Sequence, residues 1–563
     1  MKAINSTSTR KLSFIIIVIS ALAFIPFLGG VNLFDWDEIN FAECAREMIV
    51  DGNYIDVQIA FRPFWEKPPL FVWMQVVTMK IFGVNEFAAR LPNAIAGIVT
   101  LLTIFFMGKK LHSKAFGLVW SFVYFASVLS HFYFRSGIID PWFNFFMFVS
   151  IYFFFQLQIS ETKKKRNLSA LLSGVFVGLS VLTKGPVGLL IVGAVVFIFL
   201  LMQIIKPKKF VIAKDSETET KPLKLLSLTE WLIFLSSIVV VGSIWFILQI
   251  IGGNLQTVID FIAYQIRLFL TPDAGHGGNF LYHVVVLLIG MFPISIFSLK
   301  YIFKIKDKQS VADIFAVLMQ ILFWFVLILF TIVKTKIVHY SSLCYFPMSF
   351  LGAYCLIHIF EGKVKWSRLT NVLLIIIAAV FSLVVAIVPL VEKYKQELIP
   401  YIKDDFAVLN LQAEVNWLGL EWVIALIFFI AVIAAVAMSK KNKYKKAFIT
   451  LFSASALFII SVIYIFPYRI EKYTQGAVIE FYKSVADEDC YVLTSGFHTY
   501  ASHFYTKSNS SDYKPTLQLL TKKQDKPVYL VLKEPHYNQY KHLVVAMEVH
   551  LKKNGWVVLK LAP

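Results

Sequence analysis

Charge is scarce in this chain, and acid is scarcer than base. Charged side chains make up 16% of its 563 residues, against about a quarter in soluble domains. That rules out a solvated globular surface along most of the chain. Cysteine is scarce too: Cys44, Cys344, Cys355 and Cys490 are all there are, with no CxxC spacing, so a zinc–cysteine site is not expected. Cys344 and Cys355 share one apolar segment but stand about 16 Å apart along a helix axis, too far to bridge. No fixed-period repeat is present.

What is abundant is apolar. Hydrophobic residues reach 58%, the mean hydropathy is +0.70, and runs of about 20 apolar residues match the bilayer core. Thirteen spans are expected, at about 12–30, 90–108, 115–133, 141–157, 168–184, 187–205, 230–251, 281–299, 309–333, 339–360, 369–390, 420–438 and 447–467. The first resembles a signal peptide, with Lys2, Arg10 and Lys11 before the apolar run, but no clear small-x-small cleavage site follows; an uncleaved span is expected. The net charge of +19 fits Lys and Arg gathered in short cytoplasmic loops. With no recognition fold visible, no nucleic-acid partner is expected.

The connections alternate in charge. Lys109/Lys110/Lys114, Lys163 to Arg166, Lys206/Lys208/Lys209, Lys300 to Lys308, Lys363/Lys365/Arg368 and Lys440 to Lys446 join the basic N-terminus on the cytoplasmic side. An odd number of spans then leaves the C-terminus outside. On this assignment the chemically interesting residues share the outer side: Asp37, Glu38, Glu66, Lys67, Arg135, Asp140, Lys184, Arg267, His276, Lys336 and Tyr340. Unrelated core charges would not choose one face.

Two outer regions are large. In the loop 31–89, helical periodicity over 38–50 and a Pro68-Pro69 start before 67–82 predict two helices lying at the interface, the first capped by Asp35 or Asp37. In the tail 468–563, the segments 490–494, 527–532 and 556–561 read as strands, while 474–486 and 536–553 suit helices. This predicts a membrane domain over 1–467 and a small extracytoplasmic α/β domain over 468–563.

Each candidate group also has an ordinary role. Asp37-Glu38 is either a capping pair or an acceptor-handling carboxylate at the membrane boundary. Lys67 either snorkels or holds a phosphate at a helix start. Arg135 and Asp140 either pair with each other or support the site. Lys184, between apolar flanks, calls for an anion or a buried partner. Lys336 and Tyr340 either anchor the interface or face the site. Together they describe a cavity with a carboxylate and several cations at membrane depth, which suits a phosphate carried on a lipid.

At this point a resemblance adds to the reading. The stretch Asp37-Glu38, Ala42-Glu43, Arg46-Glu47-Met48, Glu66-Lys67-Pro68-Pro69 and Asn85 to Pro92, followed by LTKGP at 182–186, Arg267-Leu268-Phe269, His276-Gly277-Gly278 and Lys336 to Tyr340, resembles the protein O-mannosyltransferase superfamily. The resemblance is greatest to its bacterial aminoarabinose lipid A transferase branch, and it runs over about 37–350. It implies a GT-C fold and an inverting transfer from a polyprenyl-phosphate sugar, expected to be on undecaprenyl; the acceptor is not carried over from the family, and lipid A, a protein or a glycan on the periplasmic side of the inner membrane is expected. It implies that Asp37 is the central catalytic carboxylate; Glu38 beside it is expected to share that role. It implies that Lys67 and Tyr340 bind the carrier phosphate and that Arg267 belongs to the same site; from the residues themselves, Lys184 and Lys336 are expected there too, with Glu66, Arg135 and Asp140 supporting it. A divalent metal on Glu66 and His276 is a further implication, weakened because Tyr264 stands where many relatives carry His. The main rival is a flippase for a lipid-linked sugar, which has no need of the large first loop.

Overall fold

Backbone inside lipid must satisfy its own hydrogen bonds, so long apolar runs become helices. The computed structural model describes residues 6–213, 220–270, 278–303, 310–509, 519, 524–540 and 547–563. Among them, nine helices are long and apolar enough to cross a membrane, or up to eleven if each bent pair counts as one span. The bent pairs are Lys114–Phe125 with Val128–Phe134, turned by 75°, and Leu228–Gly242 with Ile244–Ile251, turned by 46°. Both breaks fall at serine. Ser127 Oγ donates to the carbonyl of Val123 at 2.7 Å, and Ser243 Oγ to that of Val239 at 2.5 Å, beside the bond from its own backbone N–H; hydroxyls bonded back in this way bend helices.

Small residues let helices meet closely where no water-driven force brings them together. The helix Lys163–Lys184 packs against Leu228–Gly242 through Gly174 and Gly178. A Cβ on Gly174 would lie 2.3 Å from the carbonyl oxygen of Phe234. Elsewhere aromatic rings fill the bundle: Phe148 and Phe346 stack at 4.2 Å, and Trp120 meets Phe350 edge-on at 5.0 Å.

The first loop forms the two expected short helices, Asp37–Asp51 and Leu70–Phe82. Between them a hairpin pairs Gln58–Ile59 with Arg62–Pro63. Neither Asp35 nor Asp37 caps the first helix. Its N-cap is Trp36, with no side-chain cap, because both carboxylates turn to other partners.

At the C-terminal end a four-stranded sheet forms. Tyr491–Ser495 lies parallel to Val528–Lys533, which pairs antiparallel with Trp556–Leu561, and that strand with Glu548–Lys553. Three strands stand where the sequence places them. The helix expected over 536–553 does not extend that far: a helix covers Glu534–Tyr540, and Glu548–Lys553 is a strand. The reason is the Asn554-Gly555 pair, whose positive φ angles of 48° and 79° make the two-residue turn that folds Glu548–Lys553 back onto its neighbour. This segment is docked on the first loop. The Tyr505 hydroxyl accepts from Leu33 N–H at 2.7 Å, Gln475 donates to the Leu33 carbonyl at 2.9 Å, and Lys483 pairs with Glu86 at 2.8 Å.

Candidate functional site

Asp37 and Glu38 are neighbours in sequence and part company in space. Glu38 turns into the protein and is 4% exposed. It takes Nε and Nη2 of Arg90, each at 2.7 Å, with the backbone N–H groups of Gly137 at 2.6 Å and Phe34 at 2.9 Å. Arg90 gives its other N–H groups to the carbonyls of Leu28, Val31 and Asn32. The expectation that Glu38 is catalytic is therefore corrected: both of its oxygens clasp the first loop to the helix Glu86–Leu111 and to the loop before Asp140.

Asp37 faces a cavity of about 1310 Å³. Its Oδ2 stands 3.2 Å from His339 Nε2, which in turn is 3.8 Å from Asp140 Oδ2. Burial pushes the Asp37 carboxyl up. The His339 hydrogen bond, with the charges of His339, Lys184 and Lys67, outweighs that and leaves it below the ordinary range. Asp37 is thus held as a carboxylate.

Asp140 does not pair with Arg135. Its partner is Lys184, which donates to Asp140 Oδ1 at 2.7 Å. Lys184 ends its helix at Gly185, where a φ of +88° turns the chain. Its ammonium stands 5.4 Å from the Tyr340 ring. Arg135 instead donates to the carbonyls of Ala23, Phe24 and Pro26, tying down the end of the helix Thr9–Phe24. It contributes a wall of the cavity.

Lys67 begins the approach to the helix Leu70–Phe82. Its Nζ is 3.8 Å from Glu66 and 5.1 Å from the centre of the Tyr264 ring. The guanidinium of Arg267 lies 5.1 Å from the same ring, and Tyr264 donates its hydroxyl to Glu66 Oε2 at 2.9 Å. Burial, and then the nearby Lys184, draw the Lys67 pKa down despite Glu66. Two cations that repel across a cleft are relieved by an anion between them.

Lys336 is different. Its ammonium donates to the carbonyls of Phe330, Thr331 and Val333 at 2.9, 2.7 and 2.6 Å. It closes the C-terminal end of the helix Val311–Ile332, so the expectation that it binds the donor phosphate is corrected. His276 lies outside the described residues. Among the described residues no group of three His, Cys, Asp or Glu side chains is placed to hold a metal ion, and Glu66 accepts from Tyr264 where the metal was expected.

The structure therefore brings Asp37, Asp140, Lys184, Tyr340, Lys67, Glu66 and Arg267 to one end of the bundle. Sequence reasoning missed His339, which touches both acids. It also missed Arg90, which fixes the helix carrying Asp37. His339 was visible as the residue before Tyr340 in the KIVHY stretch, at the start of a span.

Residues 66–213 match the family model described as dolichyl-phosphate-mannose-protein mannosyltransferase. An undecaprenyl phosphate-alpha-4-amino-4-deoxy-L-arabinose arabinosyl transferase of Wigglesworthia glossinidia brevipalpis is 24% identical over 358 residues, 62% of this chain and 59% of that protein. The protein of the same description from Shewanella sediminis is 24% identical over 379 residues, 67% of this chain and 65% of that one. The match thus spans 59% and 65% of the length of these relatives. The crystal structure of ArnT from Cupriavidus metallidurans bound to undecaprenyl phosphate superimposes with a TM-score of 0.75, over 99% of this chain and 100% of that one, at 14% identity. The chain is a multi-pass membrane protein with the fold of that enzyme, and it resembles the protein O-mannosyltransferase superfamily, its aminoarabinose transferases in particular.

Proposed function

We propose that this protein is an inverting glycosyltransferase. It moves a sugar from an undecaprenyl-phosphate donor to an acceptor on the extracytoplasmic side of the inner membrane. The observation that carries this reading is the ionised Asp37, held by His339 and flanked by Lys67 and Lys184 at one end of the helices. The N-terminus lies in the cytoplasm. We count thirteen crossings by taking each bent pair as one span, up to eleven in all, and adding the helix Thr9–Phe24 and the pair Tyr282–Gly290 and Ile294–Phe303. Residues 468–563 then form a domain outside, over the site.

The donor lies with its tail in lipid and its phosphate among Lys67, Arg267, Lys184 and Tyr340. The acceptor oxygen attacks the anomeric carbon from the side of Asp37, and the bond from that carbon to the phosphate oxygen breaks with its electron pair on the phosphate. The cations stabilise the charge that gathers there. Asp37 orients a hydroxyl acceptor and takes its proton, whereas a phosphate acceptor needs only the orientation. The acceptor is lipid A, a protein hydroxyl or a glycan.

Mass spectrometry of lipid A and of periplasmic glycoproteins, wild type against a deletion strain, tests the reading. A sugar mass lost from one fraction and restored by the gene but not by Asp37→Asn is expected. Unchanged fractions, with a sugar-bearing undecaprenyl phosphate trapped on the cytoplasmic side, would make the protein a flippase.

A further inference from the structure

A second cleft adjoins the catalytic cavity. Its volume is about 630 Å³, within the range of small-molecule sites. One wall is the first loop: Trp36, the hairpin around Arg62, and Trp65 with Glu66. The other wall is the C-terminal segment from Val492 to His503. Trp36 and Glu66 border both spaces, so the cleft opens onto the groups around Asp37.

The lining is unusual for an exposed surface. Trp36 is 48% exposed, directly before Asp37. His498 meets its ring at 5.3 Å and Tyr500 at 5.9 Å, and these two lie 4.9 Å apart. Leaving a tryptophan this open costs apolar hydration. Around the rings stand hydroxyls and a guanidinium, from Thr494, Ser502 and Arg62. The three rings cross at 51–69°, and an aromatic corner of this kind, edged by hydrogen-bonding groups, suits a ligand with an apolar C–H face and a polar rim. A pyranose ring has that construction.

The wall is also held in place. The hydrogen bonds from Leu33 to Tyr505 and from Gln475 to Leu33 fix the C-terminal segment against the loop that carries Trp36. A site made of two chain segments needs that rigidity.

We infer that the cleft between the first loop and the segment 492–503 is a sugar subsite, in which Trp36, His498 and Tyr500 seat a pyranose ring beside the reacting centre. The inference rests on the transferase reading and deepens it, because it assigns the C-terminal segment a direct part in substrate recognition. The ring belongs either to the donor or to a glycan acceptor.

Full-length His498→Ala and Tyr500→Ala proteins test this, with Tyr500→Phe as a variant that keeps the ring. The probes are undecaprenyl phosphate alone, for binding, and undecaprenyl-phosphate 4-amino-4-deoxy-L-arabinose with lipid A, for turnover. The alanine variants should bind bare undecaprenyl phosphate within twofold of wild type, while one KM rises about tenfold. Tyr500→Phe, which keeps the ring, should raise that KM less than Tyr500→Ala does. A raised donor KM places the transferred sugar in the cleft, and a raised acceptor KM places the acceptor's sugar there. If folded alanine variants keep both KM values, the inference is overturned while the transferase reading stands. If the wild type itself neither binds undecaprenyl phosphate nor turns over, the transferase reading falls and this inference falls with it.

Discussion

The protein uses one clasp twice, at two places in the helix bundle. Near the candidate site, Glu38 in the first turn of one helix takes a two-pronged grip from Arg90 early in another, and Arg90 also collects loop carbonyls. In the second, Glu230 in the first turn of Leu228–Gly242 takes the same grip from Arg166, at 2.5 and 2.7 Å. Arg166 also collects the carbonyls of Leu157 and Leu225. The chemistry is shared and the neighbours differ. Thr229 and Trp231 flank Glu230, and neither is acidic. Beside Glu38 stands Asp37, open to the cavity and bonded to His339. The comparison teaches that a buried ion pair here is a fastening for loops, and that function depends on what is fastened beside it.

The largest expected break is at Asp37. Asp37→Asn should keep the fold and lower kcat by roughly 10²–10⁴-fold, measured by product formation at saturating donor. Next come the clasps themselves. Arg90→Met and Arg166→Met each strand a buried glutamate and should each cost about 3–5 kcal/mol, read from unfolding in detergent. They should then separate: molecules of Arg166→Met that stay folded keep their turnover, and those of Arg90→Met lose it. Equal turnover in both would end the comparison.

Smaller effects sharpen it. Lys67→Ala should weaken undecaprenyl phosphate binding about tenfold, roughly 1.4 kcal/mol, while Lys336→Met should not, because Lys336 serves helix carbonyls. Smaller still is a pH effect at Asp35. Burial pushes its carboxyl from 3.8 to about 6, against a hydrogen bond with Thr499. Between those two values the folded state holds a proton that the unfolded state releases, so stability falls as pH rises through that window and levels above it. Asp35→Asn should flatten that part of a melting-temperature profile. Least is Glu47→Gln. Burial, and then Glu43, push the Glu47 carboxyl up to about 9, so at pH 7 a neutral amide replaces a neutral acid and should change stability less than any substitution above.

Much of this was legible beforehand, for stated physical reasons. Loop charge follows membrane topology, and that gathered Asp37, Lys67, Asp140 and Lys184 on one face before any coordinates. Helical periodicity revealed the two short helices of the first loop, and β-branched and aromatic runs revealed three strands. What stayed hidden were choices among partners. Asp140 could have taken Arg135, five residues away, but took Lys184, forty-four residues away. Glu38 looked as reactive as Asp37 until Arg90 was seen beneath it. Nothing local distinguishes these outcomes, because they depend on how helices pack. The fourth strand was a different kind of miss: Asn554-Gly555 is a strong local turn signal, and the helix read over 536–553 ran through the strand that it folds back.

The docking of the C-terminal segment has one more consequence. The loop just before Asp37 offers its Leu33 amide and carbonyl to that segment, so the C-terminal segment and the loop that carries Asp37 are not independent parts. A chain cut before the sheet would keep Lys67, Lys184 and Arg267, yet lose the wall from Val492 to His503 that faces the first loop across the adjoining cleft, and so admit more water beside the site. It would be expected to squander its donor on water, releasing free sugar and recycling the lipid carrier with no acceptor decorated.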